Sequence, residues 1–209
     1  MEPSARRRRI WLLPVLGAVA LALLALLVPR GQPAPPDRAI YLGRATALLA
    51  LWSMFLTILS AADVGGVSRL FGRSFRTVHY AVAACGLLAM LIHPLVVATR
   101  LGTAAVFVPD VGSWRGLWQN GGRVALYLFV LVAMLPLLRR REGGAWRTVH
   151  LAAYPAFVLA AVHGLMIGRT HHLLGLRIAS VAAAVVVGLV AVWRRRAGPR
   201  RPPPARPRG

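Results

Sequence analysis

The chain alternates long apolar runs with short polar connections. Six runs, at residues 10–29, 40–62, 77–98, 124–138, 149–167 and 176–193, approach the roughly 20 apolar residues that an α-helix needs to cross a bilayer core. The fourth is the shortest, with room to extend back toward Trp118, and its Pro136 lies near enough to the end to be tolerated. In hydrocarbon every backbone N–H and C=O must be paired within the protein, so runs of this kind predict helices. The expected fold class is therefore all-α, an integral membrane six-helix bundle. Residues 1–9 form a basic N-terminal segment, 10–193 the six-span domain, and 194–209 an Arg/Pro-rich tail too charged and proline-rich to fold by itself.

Composition sharpens this picture. The chain is 57% hydrophobic, with 26 basic against 5 acidic residues. Every basic residue is arginine, and most fall in short blocks at the ends of runs, which argues against a nucleic-acid-binding surface. With the N-terminus inside, Arg6 to Arg9, Arg69, Arg73, Arg76, Arg139 to Arg141, Arg147 and the seven tail arginines share one side. That is eighteen of the 26, so this side is assigned as cytoplasmic and the protein as a multi-pass membrane protein with both termini there. The tail also suits anionic lipid. Trp11, Trp146 and Trp193 mark the inner interface, Trp114 and Trp118 the outer one. The first run exceeds a signal-peptide core and ends in Leu-Leu-Val-Pro-Arg without a small-x-small cleavage site, so it reads as a span. The single cysteine, Cys85, excludes a disulfide framework or a cysteine metal site.

The candidate chemistry lies in an internal repeat. Phe75-Arg76-Thr77-Val78-His79 matches Trp146-Arg147-Thr148-Val149-His150, and each segment leads to a second histidine, His93 or His163. Ionisable side chains within a span are costly and point to function. At 1.5 Å per residue, each pair covers about 20 Å of a core about 30 Å thick. Spans three and five run in the same direction, so His79 is level with His150 and His93 with His163. Imidazoles at matched height on two facing helices can ligate iron from both sides of a porphyrin, and with both axial positions filled such a site carries electrons. The expectation is two b-type haems between spans three and five, with these four histidines as iron ligands. Facing is less regular than depth. Fourteen residues return a helix to within about 40° of its starting face, whereas thirteen leave it about 140° away. Pro155, between His150 and His163, is a candidate to rewind the fifth span.

On these histidines the chain resembles the ferric reductase-like transmembrane domain family, which includes ferric reductases, NADPH oxidases and the haem-binding subunit of periplasmic methionine sulfoxide reductase. The resemblance covers about residues 40–193, and the histidine spacing is its specific part. It implies a six-helix haem b protein moving electrons outward, with His79 and His150 sharing the inner haem and His93 and His163 the outer one. The flavin and nicotinamide domain of the larger members has no counterpart in these residues, and no Gly-rich dinucleotide fingerprint is present. No flavin or nicotinamide is expected on this chain itself. In size the chain is similar to the stand-alone subunit, which depends on separate partners.

Other residues carry two readings. Arg76 and Arg147, one turn before the first histidines, either pair with inner-haem propionates or set topology. Arg44 and Arg123 serve the outer haem in the same way or snorkel. His171 and His172 are loop residues or a contact to an electron acceptor or a quinone, Asp63 and Asp110 are loop residues, and Cys85 and Met90 read as packing, with Met90 as an alternative axial ligand. The segment 99–122, with Trp114 and Trp118, reads as interfacial or re-entrant, or as a docking surface for an acceptor. Two function classes follow. One is an electron-transferring haem subunit of an oxidoreductase system, fed by a cytoplasmic flavin reductase or quinol and delivering to an outer-side redox protein, metal ion or oxygen. The other is a haem-free structural or transport protein whose histidines bind a metal or pack.

Overall fold

The structure, a computed structural model, describes residues 38–62, 75–110, 112–138, 145–168 and 174–197. Among them all regular structure is helical: α1 (Arg38–Ala62), α2 (Phe75–Leu101), a 3-10 turn (Ala104–Phe107), α3 (Trp114–Leu138), α4 (Ala145–His150), α5 (Ala153–Ile167) and α6 (Leu174–Ala197). Five helical stretches are long and apolar enough to cross a membrane, Arg38–Ala62, Arg76–Leu101, Trp114–Leu135, Thr148–Ile167 and Leu174–Arg196. The expected first span, 10–29, lies outside the described residues, as do Asp63, Arg139 to Arg141, His171, His172 and the tail beyond Ala197.

Helix ends follow from local chemistry. Leu101 ends α2 because Gly102 turns to φ 64, a left-handed conformation that glycine adopts without steric penalty. The Thr103 N–H then returns to the Ala98 carbonyl and that of Gly102 to Thr99, satisfying carbonyls the helix would leave unpaired. At the start of α3 the Ser113 hydroxyl accepts from the Gly116 N–H, an N-cap. This helix begins at Trp114, ten residues before the apolar run at 124 suggests. Its first turns are polar because Asn120 and Arg123 work against the preceding segment. Arg123 donates to the carbonyls of Val106 and Ala105 and to Asn120 Oδ1. Asn120 in turn pairs with both backbone groups of Asp110, and the Tyr127 hydroxyl donates to the Phe107 carbonyl. The segment after α2 is thus a short turn strapped to α3.

The fifth span is divided. Leu151, Ala152 and Tyr154 donate to carbonyls three residues back rather than four, a 3-10 pattern. Pro155 explains the position of the break: it has no N–H for the Leu151 carbonyl, and it is tolerated in the first turn of the helix that restarts at Ala153.

Packing joins α1 to α2 and α3 to α5 most extensively, with α6 lying on α5 and α1. Phe157, fully buried on α5, is at the centre with Met54 and Ile58 of α1, Phe129 of α3 and Val187 of α6. At Gly86 a Cβ would stand 2.8 Å from Met54 Cε and 2.9 Å from Ser53 Cβ, so α1 and α2 approach closely only because that position is bare. Small residues favour such contacts in lipid, where burial of apolar surface gives helices little reason to associate. Ser53 Oγ also donates to Cys85 Sγ at 3.9 Å, which places Cys85 at this contact. Leu88, Leu95, Ile178, Val185 and Leu189 point outward and are exposed, the surface expected of helices solvated by lipid chains.

Candidate functional site

The helices bring the four repeat histidines to two levels of the bundle. At one level the imidazoles of His79, on α2, and His150, ending α4, face each other with ring centroids 6.3 Å apart and planes at 49°. The Thr57 backbone on α1 and the Val132 backbone on α3 flank these two rings. Trp146 stands edge-on to His150 at 6.0 Å and Tyr80 edge-on to His79 at 5.7 Å. The Nδ1 of His150 is buried with no hydrogen-bond partner among the described residues. Arg194, within electrostatic reach of His150, donates to the Ala61 carbonyl at 2.6 Å and closes this end of the bundle.

At the other level His93 and His163 are within electrostatic reach of each other. His93 Nδ1 lies 2.8 Å from the Gly43 carbonyl near the start of α1, and His163 Nδ1 lies 3.0 Å from the Trp118 carbonyl near the start of α3. A carbonyl oxygen only accepts, so both Nδ1 atoms carry the proton when these rings are neutral, and the lone pair is on Nε2. Imidazole ligands to metals are commonly held in this way, one nitrogen donating to a backbone carbonyl and the other turned to the metal. Gly43 and Trp118 could not be recognised from sequence, because they act through backbone oxygen.

The facing problem in the fifth span is partly resolved by its break. Three residues wound at about 120° rather than 100° each add about 60° in total, which reduces the His150-to-His163 offset from about 140° to about 80°. The rewinding therefore acts in the direction that brings both histidines toward one side. In α2, where fourteen residues already suffice, the helix runs through Pro94 without a break.

The remaining candidates separate. Arg76 is exposed one turn before His79, and Arg147 holds the matching backbone position in α4. Arg123 straps a loop, its guanidinium engaged with Val106, Ala105 and Asn120, and it is also within electrostatic reach of His163. Arg44 is half-buried, beside the Gly43 carbonyl that holds His93. Asp110 caps a turn, its carboxylate accepting from the Gly112 N–H. Met90 packs against the core cluster. Trp114 is exposed and stands edge-on to Trp118 at 5.0 Å. A groove of about 350 Å³ opens between α3 and α5, lined by Leu117, Trp118, Val124, Leu159, Val162 and His163 among others.

These features test the fit of a haem. Two metal–imidazole bonds of about 2.0–2.1 Å, with about 1 Å more from each nitrogen to its ring centre, separate two centroids by about 6 Å across one metal ion. The His79–His150 pair stands at 6.3 Å. Among the described residues no three His, Cys, Asp or Glu side chains gather as ligands for a bare ion. Two imidazoles suffice only where the metal brings its other ligands with it, as iron in a porphyrin does. The helices bearing the histidines pack chiefly on other neighbours, α2 on α1 and α5 on α3, and meet each other only slightly. At the His79–His150 level the separation is therefore compatible with the group. Comparison with protein-family models, curated proteins and solved structures finds no match to this chain.

Proposed function

We propose that this chain is a haem b electron-transfer protein of the membrane, a ferric reductase-like haem subunit of an oxidoreductase system. His79 and His150 would hold one haem and His93 and His163 a second, in a bundle of six spans that includes residues 10–29. The observation that carries this reading is the His79–His150 pair, two imidazoles from distant parts of the chain at the separation that one shared metal ion requires. The Nδ1 anchors of His93 and His163 support it at the other level. A bound haem supplies one-electron redox chemistry without an open coordination position for substrate. The protein's own part is to hold both imidazoles of a pair, to fix their tautomers and to keep water from the rings.

Direction follows from charge. Arg76, Arg194, Arg195 and Arg196 lie at the His79–His150 end, which we assign to the cytoplasm by the positive-inside rule. A cytoplasmic flavin reductase or a quinol would deliver electrons there, with attraction between the arginines and an anionic donor acting over about 8–10 Å. The acceptor, an outer-side redox protein or metal ion, would be served from the His93–His163 end.

The test is absorbance of the purified protein with a pyridine haemochrome assay. Two b-type haems per chain, low-spin in both oxidation states, are expected. A haem-free preparation after expression with adequate haem would overturn the proposal and favour a structural or transport protein.

A further inference from the structure

Gly122 lies in mid-helix on α3, although glycine is the poorest helix former after proline. Its environment gives a reason. A Cβ built on Gly122 would fall 2.5 Å from His163 Cε1 and 2.7 Å from both ring nitrogens, so the face of the imidazole lies directly on the bare backbone of α3. One turn earlier on the same helix, the Trp118 carbonyl takes the His163 Nδ1 at 3.0 Å. The neighbouring Gly121 is under no such constraint, since a Cβ there would meet Leu159 O and His163 Cβ at 3.5 and 3.6 Å, ordinary contact distances. At the opposite histidine, His93, the anchor is the Gly43 carbonyl, and a Cβ on Gly43 would meet only Val96 Cγ1 at 3.6 Å.

We propose that Gly122 and the Trp118 carbonyl form a seat on α3 that fixes both the rotamer and the tautomer of His163, which makes Gly122 a positioning residue for the ligating nitrogen. The proposal rests on the haem reading above and adds a residue outside the histidine and arginine set. The absence of a side chain at Gly122 lets the ring lie flat, and the carbonyl one turn away holds its Nδ1–H. The Nε2 lone pair is then committed to one direction before any metal arrives. Preorganisation of this kind avoids the ordering of a free imidazole on binding.

The test is a comparison of wild type, Gly122→Ala, Gly121→Ala, His93→Ala and His79→Ala by haem content, potentiometric titration and electron paramagnetic resonance of the ferric protein. In Gly122→Ala, the redox step that His93→Ala removes should shift or disappear, with an altered low-spin ferric signal. The step that His79→Ala removes should persist and certifies that the variant is folded. Gly121→Ala should keep both steps and both signals. Wild-type titration and ferric signals in Gly122→Ala would overturn the seat, as would equal loss of both steps or an effect confined to the His79 step. A wild-type protein without haem would instead defeat the reading on which the seat rests.

Discussion

Arg194 donates a hydrogen bond of 2.6 Å to the Ala61 carbonyl, tying the last turns of α6 to the C-terminal turn of α1. The carbonyls at a helix C-terminus carry partial negative charge and lack intrahelical partners, so a guanidinium is well matched to that position. Because Arg194 is exposed, its loss should cost about 1 kcal/mol or less. Arg194→Gln should therefore lower the thermal midpoint in detergent only slightly. Its electrical effect should be clearer. A cation near His150 disfavours the more positive, oxidised form of a redox centre held there, so removing it should lower the midpoint potential of that step and leave the other in place. Arg195→Gln is the comparison. Equal shifts in both variants would mean that general surface charge, not this contact, sets the potential.

His79→Ala and His93→Ala should not resemble each other. The two residues are on one helix at different levels, with different partners: His150 for the first, the Gly43 carbonyl and His163 for the second. Each variant should lose one of two steps in a redox titration, and haem content should fall by half. Identical titrations would point to a single shared centre.

Arg123→Met should release the strap across the 3-10 turn. The substitution removes three hydrogen bonds, two of them to carbonyls of Ala105 and Val106. Charged donors contribute roughly 1.5–3 kcal/mol per bond when they leave a buried acceptor unpaired, and less where water can replace them. Hydrogen exchange at 104–110 should accelerate by at least tenfold while both redox steps persist. Loss of a redox step would show that Arg123 also serves the site at His163, which lies within its electrostatic reach.

The contrast between Arg123 and the histidines marks what the amino-acid pattern could convey. Spans two to six are visible as apolar runs, because lipid imposes the same requirement on every residue of a run. The levels of the histidines follow from helix rise alone, and the structure pairs His79 with His150 accordingly. The role of Arg123 was not visible, since a guanidinium at a span end has the same composition signature whether it snorkels, meets a propionate or holds a loop. The early start of α3 was obscured for the same reason: Asn120 and Arg123 interrupt the apolar pattern while serving the fold. Gly43 and Trp118 contribute through backbone oxygen, which has no signature in side-chain identity. Gly122 left one available clue, a Gly-Gly pair at the start of an apolar run.

Pro155 should be the residue whose replacement separates stability from function. It sits in the first turn of α5, after the three i−3 hydrogen bonds that rewind the span between His150 and His163. Pro155→Ala would restore an N–H for the Leu151 carbonyl and allow α4 and α5 to merge into one continuous helix. Proline is tolerated in a first turn and alanine is the best helix former, so the variant should be about as stable and richer in helix by circular dichroism. Regular winding would, however, return the offset of the two histidines toward about 140°. His163 is held by α3 through Trp118, so the strain should fall on His150, at the junction of the short α4 with α5. The expected outcome is weakened or lost ligation at the His79–His150 level, seen as a shifted or missing redox step in a protein of normal or raised thermal midpoint. A more helical variant that retained both steps at wild-type potentials would show that the break is a consequence of proline alone, with no part in aligning the pair.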